Sequence, residues 1–356
     1  MAVDRRRFIH LATLGLLAAA GCGRSESAGA GRGQAAGQGR AEAQAAGAGA
    51  SGAAGQPKPP SPDRPRVVVV RSKAWLKSPK REDLREGLAR GVRELTVADN
   101  AADAWRSFFD RRDNIALKVN CLAGPALCSS PALVYALIDE LAGSGHPRKR
   151  LWIYDRTTAE LDECGFDVSR AEDDLKCMGT DEVGYEQDVT VTGSVGTQFS
   201  LVISAWADAI INVPVAKDHD LAGISGALKN HLGSINNPNK LHFPDISLAV
   251  ADVAMAPVIT GKQRLVVYDL LRVCYDGGPA FKPGTTKPYG AIILSTDPVA
   301  ADAVVAKIID ELRTAAGLQS LWEREAKPQH IKIAADEDHQ LGCADLDKID
   351  LVEVEV

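Results

Sequence analysis

The sequence lacks the short motifs that declare a chemistry outright. Its seven cysteines include no pair separated by two residues, so neither an iron–sulfur run nor a zinc ribbon is supported. No GxxxxGK[ST] loop occurs, and no GxGxxG follows an apolar run, which removes the usual nucleotide cradles. No internal repeat is present. The longest N-terminal apolar run, Leu11 to Gly21, is too short to span a bilayer as a permanent helix. Basic charge is scarce where a nucleic-acid binder would need it. The first 66 residues carry nine Arg/Lys and four Asp/Glu, so a chain of net charge −6 leaves −11 for the remainder. An acidic body has no electrostatic hold on phosphate backbones, which excludes DNA and RNA as partners.

What is present begins with a targeting signal. Asp4-Arg5-Arg6-Arg7-Phe8-Ile9-His10 precedes the apolar run and resembles the twin-arginine export consensus. Cys22 follows Ala19-Ala20-Gly21, a sequence similar to a bacterial lipoprotein cleavage box. Lipidation of Cys22 would tie the protein to a membrane face, and trimming would release it; both remain open. Residues 1–22 are therefore expected to be a signal peptide, directing the chain to the periplasm or cell envelope. Residues 23–66 are mostly Gly, Ala, Ser and Gln, lack any aromatic side chain, and carry Pro57-Lys58-Pro59-Pro60 near their end. Such a composition cannot offset the entropy of ordering and reads as a tether. Residues 67–356 amount to one large domain.

Within that domain, short β-branched runs alternate with helical patterns. Strands are predicted at 67–70, 115–119, 151–154, 209–213, 265–268 and 291–294. Helices are predicted at 82–95, 101–109, 131–141 and from Pro298 to about Leu312, the last capped by Asp297. The alternation implies an α/β layered fold, a mainly parallel or mixed sheet flanked by helices. In such sheets ligands gather at the carboxyl ends of strands. The polar residues there are Asn120, Asp155, Arg156, the stretch Pro214 to His219, and Asp269. Six cysteines beyond Cys22 allow disulfides in an oxidising compartment, Cys121–Cys128 and Cys164–Cys177 most simply; buried free thiols are the alternative.

One segment concentrates the chemistry. From Asn212 to His242 the chain carries Lys217, His219, Lys229, His231 and His242, although it has only seven histidines in all. Gly223 and Gly226 allow close backbone approach to a ligand. Ser225-Gly226 leading into Ala227-Leu228-Lys229 is expected to open a helix whose free N–H groups favour an anion. Lys217, His219 and Lys229 are the candidate catalytic residues. Gly223, Ser225, Gly226, Lys229 and Asn230, with Lys118 and Asn120 from an earlier strand end, would bind a cofactor. His231 and His242 are candidate metal ligands. Asp297 and Asp302 read as a helix cap and a first-turn acid.

These residues also carry a resemblance. Asn212-Val213-Pro214 with Lys217 and His219, then Gly223-x-Ser225-Gly226-Ala227-x-Lys229-Asn230-x-x-Gly233, resembles the domain of unknown function 362 family. Lys118-Val119-Asn120 and Thr296-Asp297-Pro298-Val299-Ala300-Ala301-Asp302 fit its early and late motifs. The family has no generally assigned reaction, and the ferredoxin-like clusters of some members are missing here. The stretch from His219 to Lys229 is also similar to a segment of the nickel-pincer lactate racemase family. That likeness implies His219 as a proton shuttle and Lys229 as anchor for an organometallic cofactor or a substrate carbonyl. A metal or organometallic cofactor is also in keeping with twin-arginine export, which carries folded proteins. The expectation is an exported enzyme acting on a small anionic molecule. A non-catalytic anion- or metal-binding protein is the alternative, and electron transfer a third.

Overall fold

A computed structural model describes residues 64–356. The signal, Cys22 and most of the tether lie outside the described residues. Arg66, assigned by composition to the tether, instead opens the first strand: its guanidinium grips Asp350 at 2.7 Å and the Glu94 carbonyl at 2.8 Å. The first strand therefore starts slightly earlier than its composition suggests.

The strands are β1 (Arg66–Arg71), β2 (Ile115–Lys118), β3 (Leu151–Tyr154), β4 (Lys176–Cys177), β5 (Thr190–Thr192), β6 (Val195–Thr197), β7 (Ala209–Asn212), β8 (Val215–His219), β9 (Gly223–Ser225), β10 (Gln263–Cys274), β11 (Thr286–Ser295) and β12 (Asp350–Glu355). The helices are α1 (Arg81–Thr96), α2 (Ala101–Phe108), α3 (Pro131–Gly143), α4 (Thr158–Glu163), α5 (Thr180–Val183), α6 (Ala227–Asn230), α7 (Ile246–Ala254), α8 (Pro257–Thr260), α9 (Pro298–Ala315) and α10 (Gln329–Ala334). One sheet runs β12-β1-β11-β10-β7-β2-β3-β4, with β8 beside β10 and β9 beside β8; β5 and β6 form a separate hairpin. The run from β10 through β4 is parallel, whereas β11 is antiparallel to both its neighbours. This is the expected layered α/β fold with a mixed sheet.

Alternation along the strands explains why both faces are covered. In β1, Val67 and Val69 point into one apolar core and Val68 and Val70 into the other. The second core is closed by Leu84, Leu88, Val92 and Leu95 of α1, spaced to share one helix face, with Trp105 of α2 and Leu133 and Leu137 of α3. The first is closed by α7, α9 and α10. A strand buried on both faces reads as a continuous apolar run, which is why these strands were visible in the sequence. Among the described residues no helix is long and apolar enough to cross a membrane.

Parallel pairing of β2, β3 and β7 brings Lys118, Tyr154 and Asn212 into register at one sheet edge. β8 then continues beyond β7 as a separate short strand, and its turn into β9 folds the Lys217–Ser225 segment back on itself. These two facts bring the candidate residues together.

Candidate functional site

A cavity of about 140 Å³ opens at the carboxyl ends of β2, β3 and β7. It is lined by Lys118, Asn120, Asp155, Arg156, Lys217, His219, Ser225, Gly226, Lys229, Asn230 and His242. Residues expected in three distant stretches of sequence thus meet at one place. Leu232, Pro238 and Pro279 also line it, as does Glu160, whose carboxylate is taken by Arg156. Asp269, expected at the same rim, faces a different cavity and accepts from the Ser130 and Leu271 N–H groups.

The three lysines differ in what faces them. Lys118 donates to Asp155 at 2.6 Å and to the Val119 carbonyl at 2.7 Å, so its charge is matched inside the fold. Lys217, 1% exposed, donates to the amide oxygen of Asn120 at 2.7 Å. Lys229, 9% exposed, donates no hydrogen bond among the described residues. No carboxylate among the described residues lies within ion-pair distance of either amine: Asp155 holds Lys118, and Glu160 holds Arg156. Burial lowers both amines to about 8, and repulsion from Lys217 adds to the effect on Lys229.

The two cavity histidines have opposite roles, read from their hydrogen bonds. His219 Nδ1 accepts the backbone N–H groups of Leu221 and Ala222 at 3.1 and 3.2 Å. Asp220 comes within 3.3 Å of that nitrogen without forming a hydrogen bond, and its side chain is exposed. The neutral ring therefore carries its proton on Nε2. Burial, with Lys229 nearby, drives its pKa down to about 2, so it stays neutral. His242 instead places Nδ1 3.0 Å from the Pro238 carbonyl, to which it donates; its Nε2 is left as an acceptor. The rings stack with centroids 5.9 Å apart. His219, expected as a proton shuttle, presents an Nε2–H donor, whereas His242 is the ring with a lone pair free.

A ladder of amides locks the floor. Asn120 Nδ2 donates to Asn230 Oδ1, Asn230 Nδ2 to Asn212 Oδ1, and Asn212 Nδ2 to Gln263 Oε1, at 3.0, 2.8 and 2.9 Å. His231 donates to the same Gln263 oxygen at 2.7 Å. His231 therefore sits at the far end of the ladder from Lys217 and faces another cavity, with Leu228, Thr260 and Gln340. It shares no site with His242, and the expected metal pair is not formed. Among the described residues no group of three His, Cys, Asp or Glu side chains is arranged to hold a metal ion. His219 and His242 stack without a third such side chain arranged beside them, so this donor set does not fit a metal centre.

The glycine-rich loop also differs from expectation. The N–H groups of Ala227 and Leu228 are taken by the buried carboxylate of Asp302, at 2.6 and 3.1 Å. The start of α6 is thus already capped by an internal anion. A Cβ on Gly226 would fall 2.4 Å from that carboxylate, and one on Gly223, at φ +81°, would fall 2.2 Å from the Pro328 nitrogen. The space a side chain would need is filled by protein atoms at both glycines, while Gly226 also lines the cavity. Asp297 caps α9 as predicted, through Ala300 N–H at 2.8 Å, whereas Asp302 does more than a first-turn acid.

Three contributors were not found in the sequence. Gln263 reads as an ordinary polar residue opening a strand. His330, fully buried in α10 and lowered to about 3 by burial, lies close enough to Lys229 to feel its charge. The thiols do not form the expected pairs: Cys164 donates to the Cys121 carbonyl at 3.6 Å and Cys128 to the Pro125 carbonyl at 3.9 Å, Cys177 lies in β4, and all six are free. Only their place in space relates these groups; no local pattern signals it.

The family model described as "Domain of unknown function (DUF362)" matches residues 115–307, more than half of the chain. That stretch contains every residue named above as lining the cavity with Lys217 and Lys229. No curated protein matches the chain. Among solved structures, the crystal structure of a protein from Thermotoga maritima is similar over 67% of this chain and 59% of that one, at 11% identity and a TM-score of 0.39. The chain thus spans less than two thirds of that protein's length.

Proposed function

The chain belongs to the DUF362 family, and on that footing we propose that it is an enzyme moving a proton on a small anionic substrate. One observation carries this reading: two buried ammonium groups without carboxylate partners share a cavity with two neutral imidazoles of opposite tautomer. Lys217 and Lys229 attract and hold the anion, because an unmatched buried cation is stabilised by any anion that reaches it. His219 Nε2–H holds the oxygen on which charge develops, as a fixed donor needing no reorganisation. His242 Nε2 accepts the proton, and its half-buried position keeps it within reach of substrate and solvent.

Support for carboxylates or phosphates as the substrate class comes from the cations. The chemistry of the donor set gives no support to a metal centre held by His231 and His242. Export is part of the same reading. Support comes from Arg5-Arg6 ahead of the apolar run, with the domain working in the envelope, free or anchored through Cys22. Cell fractionation after Arg5→Lys with Arg6→Lys should find the protein retained in the cytoplasm; unchanged export would remove that part.

The site itself is tested by titrating the purified chain with small carboxylates and phosphates, then following deuterium uptake from heavy water into the bound compound. Saturable binding and exchange in the wild type, with exchange lost in His242→Ala, is the expected result. Binding without exchange in any compound would favour the capture of an anion without turnover. Equal binding by Lys217→Met and Lys229→Met would overturn the site.

A further inference from the structure

The turn that presents His219 is gripped from outside by a distant stretch of the chain. β8 and β9 pair antiparallel with His219 opposite Gly223, so Asp220, Leu221 and Ala222 form the turn between them. Two of these three supply the N–H groups that His219 Nδ1 accepts. Arg324 lies in the loop between α9 and α10. Its Nη2 donates to the His219 carbonyl at 2.8 Å and to the Gly223 carbonyl at 2.7 Å, one at each end of the turn. The same nitrogen lies 2.6 Å from the Asp218 carboxylate, and Nε donates to the Ala326 carbonyl at 2.7 Å, which fixes the guanidinium to its own loop. Arg313 stands 3.8 Å from that carboxylate, but its Nη1 donates to Asp276 at 2.7 Å and to the Tyr275 carbonyl at 2.9 Å. Arg324 is therefore the close partner of Asp218, whose side chain is almost wholly buried.

We infer that Arg324 is a positioning residue: by holding both carbonyls that close the 220–222 turn, it keeps the His219 ring in the Nε2–H form that holds a bound anion. The inference rests on the reading of His219 as the anion's fixed donor. Arg324 is not among the residues that line the cavity, so it acts through His219. It also lies beyond residues 115–307, the part of the chain that the family model matches.

The chemistry requires a guanidinium. Its planar fork spans two carbonyls and a carboxylate at fixed angles, whereas an ammonium on a flexible stem supplies the charge without the geometry. Without the grip, the His219 and Gly223 carbonyls lose a donor and the turn loosens. The Leu221 and Ala222 N–H groups then no longer hold Nδ1, and either ring nitrogen can carry the proton.

The test follows inorganic phosphate binding by calorimetry and the His219 ring by ¹⁵N NMR in the purified chain. Wild type should bind phosphate saturably and show one ring form, with the proton on Nε2. Arg324→Gln should bind roughly tenfold more weakly and show both ring forms. Arg324→Lys keeps the charge beside Asp218, so it should recover thermal stability but neither the affinity nor the single ring form. This variant carries the test if Arg324→Gln does not fold. Full recovery of affinity and ring form in Arg324→Lys would reduce Arg324 to charge balance and overturn the inference. So would a folded Arg324→Gln unchanged in both readouts, and in either case wild-type binding leaves the anion site standing. No phosphate binding in the wild type would count instead against the anion site, and the ring forms of the variants would still decide whether Arg324 holds the turn.

Discussion

Lys118 and Lys217 end neighbouring parts of the same sheet edge, are almost wholly buried, and both touch the Asn120–Asn230 amide pair. Yet one is closed and the other open. Lys118 faces Asp155, which also receives the Cys121 N–H at 2.6 Å, so both charges are held by hydrogen bonds on every side. Lys217 faces an amide oxygen and the cavity, with Lys229 adding a second unmatched cation. A buried ion pair fixes a structure, whereas a buried cation without its anion is a place for one to bind. The residue type is the same; the partner decides which role it takes.

The comparison breaks most sharply at Asp155. Asp155→Ala leaves Lys118 charged, buried and unpaired, and should reduce unfolding free energy in urea by about 3–5 kcal/mol. Lys217→Met removes a charge that nothing balances, so its stability should change by no more than about 1.5 kcal/mol. Similar losses in both variants would show that the two lysines are equivalent after all. Anion affinity sharpens the contrast next. Lys217→Met and Lys229→Met should each weaken binding by tenfold or more, about 1.4 kcal/mol, as read by calorimetry.

The pH dependence separates binding from folding by sign. Both open lysines are held at about 8, so they are ammonium below that pH and lose the proton above it. Anion affinity should stay level below pH 8 and fall as pH rises. Unfolded lysines titrate near about 10.4, so between pH 8 and 10 the unfolded chain binds more protons. The ligand-free fold should therefore gain stability from these two groups over the same interval. Affinity that rises above pH 8 would contradict the lysine assignment. The smallest effect is expected for His219→Gln, which keeps an acceptor for the loop N–H groups and a donor for the ligand. Affinity should fall only a few-fold, about 1 kcal/mol or less, and a complete loss would point to a role that an amide cannot supply.

Much of this was legible beforehand because each signal was local. Val67 to Val70 and Ile115 to Lys118 read as strands because both faces are buried, and Pro131 and Pro298 marked helix starts. The short strands β8 and β9 are not legible, since a few residues establish no period, whereas the helix expected to open at Ala227 is there as a single turn, α6. The density of Lys and His between 212 and 242 located the cavity but not the roles within it. The sequence marks His219 as a proton shuttle but does not show the two backbone N–H groups on its Nδ1, nor the Asp302 carboxylate that occupies the space beside Gly226.

By itself the sequence determined the α/β class, the main strands and helices, and the segment where polar groups accumulate, because periodicity and residue type act over a few positions. Only the tertiary structure decided which lysine has a partner, which histidine nitrogen is free, and that the cysteines of the domain stay unpaired. Those depend on residues dozens to hundreds of positions apart, such as Asp302 beneath Ala227 and Asp155 opposite Lys118. Charge and hydrogen bonding are settled by what lies within a few ångströms in space, and no stretch of sequence records that distance.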